Sequence, residues 1–477
     1  MKINRILFLV LGLALLLRLK SLDQSLWLDE AINVFYAQSN SFWWFVTKYP
    51  LGDFHPPGYF AVLWIWGHLF GFSEVSVRMP SVIFGVLTVF LVYLIGKKLI
   101  SRSAGFWAAL FLAFSPLHIY YSQEARMYSL AAFASSLSFY FLVKLIQGGK
   151  LWLAPYAFSV SAVLYSDYLA YFIIPVQAFW VVICHKKSWK KFIIGLIGGL
   201  ILWLPWLLIF PLQFMQGQAT AAALAGWRDV VGGVKIKEAL LLLVKTITGR
   251  ISVENNYWYG LLFVVLVSPF VVTLLKVVKE RLNDRGSLFL GWLVVPPCLA
   301  FLVSFFVPVF SYFRFIFILP AFYLLTAYGV SFFNRPHKQI LIAAILISEL
   351  SASSIYLFNS QFHRENWRGA VEFINQRADG KTAVLLKNKE IIPPFRYYQK
   401  INVNVLPAFK TIPAIKTGDL NNLETNLNSF EKIYLFDYLT DVTDPKRLAE
   451  RNLESLGFRQ AKVYDFRGVG YIYLFRK

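Results

Sequence analysis

Residues 79–99 read MPSVIFGVLTVFLVYLIGKKL, and this stretch decides the fold of the chain. It is apolar almost throughout and carries Lys97 and Lys98 near its end. A helix needs about 20 such residues to cross the hydrocarbon core of a bilayer. Similar runs recur up to about residue 358, and apolar types reach 57% of the 477 residues against 15% for charged types. A soluble chain carries about a quarter charged residues, so the sequence predicts a polytopic α-helical membrane protein and not a soluble enzyme.

The apolar runs predict about 11 transmembrane helices, and at most about 13. The run at 59–72 is short, which favours a re-entrant or interfacial helix within the first outer loop. The first run has basic flanks and no small-residue cleavage site after it, so we interpret it as a retained helix. The predicted spans lie near residues 6–22, 79–99, 104–121, 128–146, 151–166, 169–184, 192–210, 257–277, 287–307, 314–332 and 339–357.

Basic residues cluster in short loops at every second connection between these runs. Cytoplasmic loops carry an excess of Lys and Arg, so the alternation predicts a plasma (inner) membrane protein with a cytoplasmic N-terminus and an extracytoplasmic tail. This distribution accounts for the formal charge of +21, and we exclude nucleic acid as a partner. The clusters are Lys97, Lys98 and Arg102; Lys144 and Lys150; Lys186, Lys187, Lys190 and Lys191; Lys276, Lys279, Arg281 and Arg285; and Arg335 and Lys338.

The chain is predicted to have two domains. Residues 1–358 form the transmembrane module, with long outer loops at about 21–78 and 211–256, and residues 359–477 form a small extracytoplasmic α/β domain. In the second loop, the mixed pattern at 234–247 indicates a helix lying on the membrane surface. In the tail, helices are predicted at 367–377, after the candidate cap Asn366, and at 444–456. Strands are predicted at 382–386, 432–436, 461–466 and 471–475.

The predicted outer face gathers ionisable residues, which are costly at or within a membrane and mark candidate functional sites. Two adjacent carboxylates follow an apolar triplet just beyond the first span. A histidine stands directly before two prolines and a glycine, which impose a stiff bend. The candidates are Asp29, Glu30, Asp53, His55, Glu124, Arg126, Tyr128, Asp167 and Arg314.

Each candidate also fits a purely structural interpretation. The acidic pair fits a solvated loop start, and His55 fits a turn residue bonded to the backbone. Glu124 and Arg126 fit an ion pair at a helix end, and Arg314 fits a side chain that reaches toward lipid headgroups. The joint placement of these residues on one predicted face favours function over the structural alternatives.

The order of the motifs resembles that of a known family. The motifs are WLDEA at 27–31, HPPGY at 55–59, SQEARMYSL at 122–130, Arg314 followed by an apolar run to Pro320, and NWRGA at 366–370. They resemble the polytopic glycosyltransferases of GT-C fold in the protein O-mannosyltransferase and aminoarabinose transferase superfamily, and most of all the bacterial branch of glycosyltransferase family 39. The resemblance covers roughly residues 5–375 and leaves the end of the tail without a family motif.

The resemblance implies a donor sugar linked to a polyprenyl phosphate at the outer face, and an extracytoplasmic acceptor that is a lipid, a glycan or a protein. It assigns Asp29 as the base that takes the proton of the acceptor hydroxyl, with Glu30 in support. Polyprenyl phosphate leaves as a stable anion, so one base suffices and direct displacement inverts the anomeric carbon. Arginine suits a forked grip on phosphate, which makes Arg126 and Arg314 the candidates for that role, with Tyr128 as a hydrogen-bond donor.

The remaining candidates have less defined roles. By the resemblance, Asp53 and His55 shape the sugar site or bind a divalent cation, although one histidine and scattered carboxylates do not make a metal site by spacing alone. Glu124 is placed with the substrate-binding residues. Many relatives have His-Tyr where this chain has Asp167-Tyr168, and this departure puts the role of Asp167 in doubt.

Two other functions compete with a glycosyltransferase. A flippase for lipid-linked saccharides also needs basic groups and many helices, but transporters tend to have matched halves and mid-membrane charges. The charges here cluster at one predicted edge, and no internal repeat is found, which disfavours transport. A scaffold whose tail binds partners is the third alternative.

Overall fold

The computed structural model describes residues 5–223, 236–252, 256–280 and 283–477. Within them the chain forms two compact units, which are considered separately below. The membrane unit comprises residues 5–22, 41–219 and the described part of 228–362. The sheet unit comprises Asp23–Asn40, residues 220–223 and His363–Lys477. Residues 23–40, which the sequence analysis placed in the membrane module, therefore belong with the tail.

Helices make up most of the membrane unit. Six helices of the described chain are long and apolar enough to cross a membrane: Glu74–Leu99, Tyr128–Gly148, Lys186–Leu207, Asp284–Val303, Tyr312–Val330 and Arg335–Phe358. The other helices are Arg5–Leu19, Phe42–Thr47, Pro50–Asp53, Gly58–Phe70, Arg102–Phe114, Pro116–Ser122, Leu153–Ser166, Leu169–Cys184, Phe210–Ala223, Ile236–Thr248 and Asn256–Lys279.

Every predicted span falls on a described helix, but some of these helices are short. Arg5–Leu19 has 15 residues and Leu153–Ser166 has 14, so the count of about 11 spans stays a prediction. The predicted span at 104–121 is broken: Arg102–Phe114 and Pro116–Ser122 meet at 63°. The break comes at Pro116, which cannot continue the hydrogen-bond ladder of the preceding helix. The surface helix predicted at 234–247 corresponds to Ile236–Thr248, and residues 234–235 lie outside the described residues.

Close packing and one buried cation hold the first membrane helices together. A Cβ atom on Gly96 would lie 2.6 Å from the Cα of Gly105, so two helices approach here as only glycine allows. Arg18 is fully buried, and its Nη2 atom lies 2.7 Å from His118 Nδ1 while its Nε donates to Ser122 Oγ over 3.2 Å. These bonds tie the first helix to the second half of the broken span.

The sheet unit contains a five-stranded sheet of order β2-β1-β3-β5-β4. Its strands are β1 Thr382–Leu386, β2 Asn404–Pro407, β3 Lys432–Phe436, β4 Arg459–Phe466 and β5 Gly470–Arg476. The first three strands are parallel, and β5 is antiparallel to β3 and to β4. The helices of the unit are Leu28–Ser39, Trp367–Asn375, Ile392–Tyr398, Leu423–Leu427, Thr440–Thr443 and Leu448–Ser455.

Alternation along strand β1 contributes to two cores, one on each face of the sheet. Ala383 and Leu385 join the core on one face, and Val384 and Leu386 join the core on the other. Leu28, at the start of the Leu28–Ser39 helix, packs against the second core. This contact is a physical reason why the helix belongs with the tail and not with the membrane helices.

The predicted tail elements are largely confirmed. Strands 382–386 and 432–436 match β1 and β3, and Asn366 caps its helix by accepting from the Gly369 amide over 3.1 Å. The helix predicted at 444–456 is wrong at its start, because it begins at Leu448. Asp444 instead lies before the helix and accepts from the Leu448 amide over 2.7 Å. The short strand β2 was missed, since it has four residues and ends in a proline.

Candidate functional site

Asp53 lies at the centre of the candidate site in the membrane unit. Its Oδ1 atom is 2.5 Å from His55 Nδ1, and its Oδ2 atom accepts from Arg126 Nη1 over 3.0 Å. The three side chains are buried, with 12%, 15% and 5% of their surface exposed. Burial opposes the ionised form of Asp53, but the charges of Arg126 and His55 outweigh it and hold the pKa of Asp53 far below its ordinary value. The three residues brought together here were all predicted as candidates.

The HPPGY motif is fixed by close backbone contacts. A Cβ atom on Gly58 would lie 2.4 Å from the carbonyl oxygen of Tyr165, so a larger residue cannot be placed here without a shift of the backbone. The hydroxyl of Tyr59 shares a hydrogen bond of 3.0 Å with Ser81 Oγ. Ser81 Oγ in turn donates to the carbonyl oxygen of Arg126 over 3.4 Å. The same motif that carries His55 therefore also positions the backbone of Arg126.

Gln213 is a buried residue of this region that sequence reasoning missed. Its Nε2 atom donates to the carbonyl oxygens of Pro50 and His55 over 2.6 and 3.1 Å. Its Oε1 atom accepts a short hydrogen bond from the hydroxyl of Tyr168. Gln213 thus joins the loop of Asp53 and His55 to the turn after Asp167. The signal in the sequence was weak, since a single glutamine follows a long apolar run.

Asp167 is buried, and its carboxylate bonds to the backbone of the turn that follows it. Its Oδ1 atom accepts from the Leu169 amide over 2.8 Å, so the side chain caps the turn that starts the next helix. Burial raises the pKa of Asp167, and the charges of His55 and Arg314 only partly offset that effect. The structure therefore brings Asp167 into the electrostatic neighbourhood of the predicted site while giving it a local structural role.

Arg314 and Tyr128 share the same neighbourhood. The charge of Arg314 interacts with Tyr128, Asp167, Arg126 and Asp53. The buried Nε atom of Arg314 has no hydrogen-bond partner among the described residues. A guanidinium group with an unsatisfied buried donor is costly unless a ligand completes its bonds. This donor is therefore the strongest geometric indication that an anion binds in the membrane unit.

Aromatic rings separate this neighbourhood from a second basic group. The ring of Tyr121 lies 4.9 Å from that of Tyr128, and the ring of Phe313 lies 5.9 Å from Tyr128. Tyr128 is buried among these rings. An apolar surrounding of this kind strengthens the electrostatic interactions of the groups that it buries.

Arg250 and Lys245 form the second basic group, and sequence reasoning missed both. Arg250 Nη1 donates to the hydroxyl of Tyr312 over 2.8 Å, and its guanidinium lies 5.2 Å from the ring of Tyr120. The charge of Glu124, a predicted candidate, acts on Arg250. Burial lowers the pKa of Lys245 to about 8, and Arg250 adds to that effect. Lys245 lies in the last turn of the amphipathic helix Ile236–Thr248 and Arg250 follows that helix, where the sequence indicated only a surface helix.

Asp29 and Glu30 lie in the sheet unit, in the first turn of the Leu28–Ser39 helix, hereafter the acidic helix. The carboxylate of Glu30 is fully buried, accepts from the Trp27 amide over 3.4 Å and lies 4.0 Å from Arg364 Nε. Asp29 is half-buried. The N-terminal end of a helix favours negative charge, which makes the first turn a favourable position for both side chains.

A third carboxylate, that of Glu365, lies at the same helix end and was also missed. It accepts from the Leu28 amide over 3.2 Å, from Trp367 Nε1 over 2.8 Å and from the hydroxyl of Tyr438 over 2.9 Å. Burial raises the pKa of Glu365 to about 7, and the charge of Asp29 acts in the same direction. Glu365 directly precedes the NWRGA motif, which was the only signal of it in the sequence.

The nine predicted residues thus fall into two groups. Asp29 and Glu30 belong to the sheet unit, and the other seven belong to the membrane unit. The expectation that all nine share one outer face stays a prediction. The two arginines predicted to bind phosphate, Arg126 and Arg314, interact within one neighbourhood.

The suggested divalent cation does not fit the residues present. Both oxygens of Asp53 are already engaged, one by His55 and one by Arg126. Across the part of the chain that the structure describes, no group of three or more His, Cys, Asp or Glu side chains could hold a metal ion. The chemistry considered below therefore rests on side chains alone.

Comparison with known proteins places this arrangement in a family context. Residues 54–209 match the family model described as dolichyl-phosphate-mannose-protein mannosyltransferase. Two proteins of Bacillus subtilis (strain 168) are similar to the chain: "Putative mannosyltransferase YkcB", 28% identical over 37% of this chain, and "Putative mannosyltransferase YycA", 27% identical over 46%. The matched segments cover 26% and 33% of those two proteins, so the chain spans only a minor part of their length.

Solved structures share the fold over nearly the whole chain. ArnT of Cupriavidus metallidurans, bound to undecaprenyl phosphate, matches 98% of this chain and 97% of its own with a TM-score of 0.61 at 10% identity. The oligosaccharyltransferase AglB of Archaeoglobus fulgidus, in complex with an inhibitory peptide and a dolichol-phosphate, matches 98% of this chain and 74% of its own with a TM-score of 0.54 at 12% identity. The chain is therefore a multi-pass membrane protein of GT-C fold, and the predicted resemblance to GT-C glycosyltransferases is confirmed.

Proposed function

We propose that this protein is an integral membrane glycosyltransferase that moves one sugar from a polyprenyl-phosphate donor to an extracytoplasmic acceptor with inversion at the anomeric carbon. The observation that carries the proposal is the pair of Arg126, bonded to Asp53, and Arg314, whose buried Nε donor is unsatisfied and whose charge interacts with both residues. Arg126 lies in the segment that matches the mannosyltransferase family model, and the fold of the chain is shared with ArnT. A lipid phosphate brings the negative charge that such a pair of arginines lacks, and a membrane-embedded protein meets its donor by lateral diffusion in the bilayer.

The donor phosphate is held by guanidinium groups in this proposal. Arg314 contributes its unsatisfied Nε donor, and Arg126, which is bonded to Asp53, contributes its positive charge. Arginine stays charged when buried and binds phosphate through parallel N–H bonds. These charges stabilise the polyprenyl phosphate as it leaves with the electrons of the broken glycosidic bond, so no acid needs to protonate it.

The acceptor is activated by Asp29. The acceptor hydroxyl attacks the anomeric carbon, its proton passes to the Asp29 carboxylate, and the bond from that carbon to the phosphate oxygen breaks on the opposite side. Asp29 suits this role because it is half-buried and lies at a helix N-terminus, a position that favours negative charge. Glu30, paired with Arg364, holds the first turn in place, and Glu365 binds the Leu28 amide directly before Asp29.

The proposal is tested with the purified full-length protein, a polyprenyl-phosphate-linked mannose and a panel of glycan, lipid and peptide acceptors. The expected result is stoichiometric release of polyprenyl phosphate with a new glycosidic bond, and neither product with Asp29→Asn. Movement of the donor across vesicles without any new glycosidic bond would contradict the proposal and support a flippase instead.

A further inference from the structure

A cavity of about 130 Å³ lies between four helices of the membrane unit, away from the residues discussed above. These helices are Glu74–Leu99, Tyr128–Gly148, Ile173–Cys184 and Asp284–Val303. The volume equals that of about four liquid water molecules, which is room for one small polar group. Its walls come from the ends of the helices that carry the basic loops.

The cationic groups at this cavity are not balanced by the acidic one. Asp284 accepts from Trp180 Nε1 over 2.5 Å, and its other oxygen lies 3.3 Å from His185 Nε2. Lys98 and Arg285, which also line the cavity, form no ion pair with any carboxylate of the described chain. The cavity therefore keeps a net positive charge after Asp284 is satisfied.

A further cation strengthens this imbalance. Lys144, on the neighbouring helix, interacts electrostatically with Lys98. Its ammonium group lies 4.9 Å from the ring of Trp152 and 5.6 Å from that of Tyr140, and it forms no ion pair with the described residues. Like charges this close repel one another, so an anion between the helices would relieve the repulsion.

Part of the cavity wall is apolar, and Gln147 adds a polar amide to it. Leu99, Val143 and Ile146 line it, and Val143 and Leu99 are buried. An anionic head beside an apolar wall matches the chemistry of a phospholipid. Basic pockets between transmembrane helices are known to take anionic lipid headgroups, whereas single lysines at helix ends more often reach into solvent. Here two exposed cations from different helices line one partly open cavity.

We propose that this cavity binds a phosphate group between Lys98 and Arg285. The phosphate comes from the headgroup of an anionic membrane phospholipid or from free inorganic phosphate, and the apolar wall favours the lipid. Trp180 and His185 hold Asp284 away from the anion by engaging its carboxylate. The site is independent of the proposed transferase reaction, because none of its residues belongs to either candidate group.

The test compares two doubly substituted full-length proteins that lose the same charge at the same end of the helices. Lys98→Gln/Arg285→Gln removes the cations of the cavity, and Lys187→Gln/Lys190→Gln removes two exposed lysines outside it. Each protein is mixed with phosphatidylglycerol or phosphatidylcholine in detergent, and retained lipid is counted by native mass spectrometry. Thermal midpoints measured in phosphatidylcholine test whether both doubly substituted proteins are folded. If the cavity variant is not folded, the single variants Lys98→Gln and Arg285→Gln take its place.

We expect the wild-type protein and the control to retain phosphatidylglycerol in preference to phosphatidylcholine. The cavity variant should bind it roughly thirtyfold more weakly, the loss expected for two cations facing an anionic headgroup. Inorganic phosphate that raises the thermal midpoint of lipid-free wild type, but not of the cavity variant, would assign the site to free phosphate. Equal retention of phosphatidylglycerol by the cavity variant and the control would overturn the site.

Discussion

The two groups of candidate residues differ in charge and in what holds them. In the membrane unit, Arg126 is paired with Asp53, the charge of Arg314 interacts with both, and the Nε donor of Arg314 remains unsatisfied among the described residues. Glu365 joins Asp29 at the start of the acidic helix. The carboxylate of Glu365 accepts hydrogen bonds from one backbone amide and two side chains. The first group thus has a cationic donor without a partner among the described residues, whereas the second holds carboxylates through hydrogen bonds. If the proposed roles are right, the comparison predicts that donor binding and proton removal can be disrupted separately.

The largest expected effect is a loss of transfer rate without a loss of donor affinity. Asp29→Asn should lower the rate of sugar transfer by about 10³-fold, since a positioned general base contributes 10²–10⁴-fold. Donor affinity should stay within about twofold, because the acidic helix lies in the unit without the phosphate-binding arginines. Asp23→Asn, an exposed change in the same unit, is the control. A fall in kcat accompanied by a comparable rise in donor Kd in Asp29→Asn would break the proposed division of roles.

A complementary change in the membrane unit should act first on donor binding. Arg126→Gln removes a fork that binds phosphate and also leaves Asp53 paired with His55 alone. We expect about a hundredfold loss of donor affinity, as is typical of a lost charged contact. Arg126→Lys keeps the charge but lacks the planar fork, so it should recover only part of the affinity. Donor affinity is measured by equilibrium binding of the polyprenyl-phosphate sugar, and an unchanged Kd in both variants would remove Arg126 from the donor site.

The sequence predicts these two groups unequally well. Apolar runs and charged loops identify the membrane helices because the bilayer imposes length and polarity directly. Asp53, His55 and Arg126 were all selected from local motifs. Their partner Gln213 could not be selected in this way, because its role depends on contacts with Pro50 and His55. Both residues lie more than 150 positions earlier in the chain.

The acidic helix shows the other limit of the sequence. Asp29 and Glu30 were identified as a motif, but their place in the sheet unit follows from the contacts of residues 23–40 with Arg364, Glu365 and Tyr398. Such long-range contacts leave no periodic signal in the sequence. Strand β1, by contrast, was predicted correctly because four of its five residues form an apolar run, and all five are buried in the structure.

A third prediction concerns the pH dependence of the sheet unit. The pKa of Glu365 is about 7 in the folded protein, so the folded state holds a proton that the unfolded chain releases above its ordinary pKa of about 4.3. Stability of the sheet unit should therefore fall as pH rises from about 4.5 to 7, by up to about 3 kcal/mol, and stay low above that. Glu365→Gln, which cannot ionise, should lack this fall and be more stable than wild type at pH 8.

This pH dependence is measured by hydrogen exchange of the β1 and β3 amides in the full-length protein between pH 5 and 8, after correction for intrinsic exchange. Glu372→Gln, on the nearby Trp367–Asn375 helix, provides a control carboxylate with the same charge change. Identical pH profiles for wild type and Glu365→Gln would show that Glu365 is ionised throughout. The group of carboxylates at the start of the acidic helix would then contain no carboxyl group that changes its charge near neutral pH.

The smallest expected effect tests how rigidly the membrane-unit group is held. Gly58→Ala places a Cβ atom 2.4 Å from the Tyr165 carbonyl oxygen, so the HPPGY loop must shift at a cost of about 1–3 kcal/mol. Because Tyr59 and Ser81 connect this loop to the backbone of Arg126, the shift should weaken donor binding severalfold and leave the ionisation of Glu365 unchanged. Gly52→Ala, at a glycine with open space around it, is the matched control. If Gly58→Ala keeps the donor affinity and the thermal midpoint of the wild type, the loop tolerates displacement. The arginines would then be held in place by the helices alone.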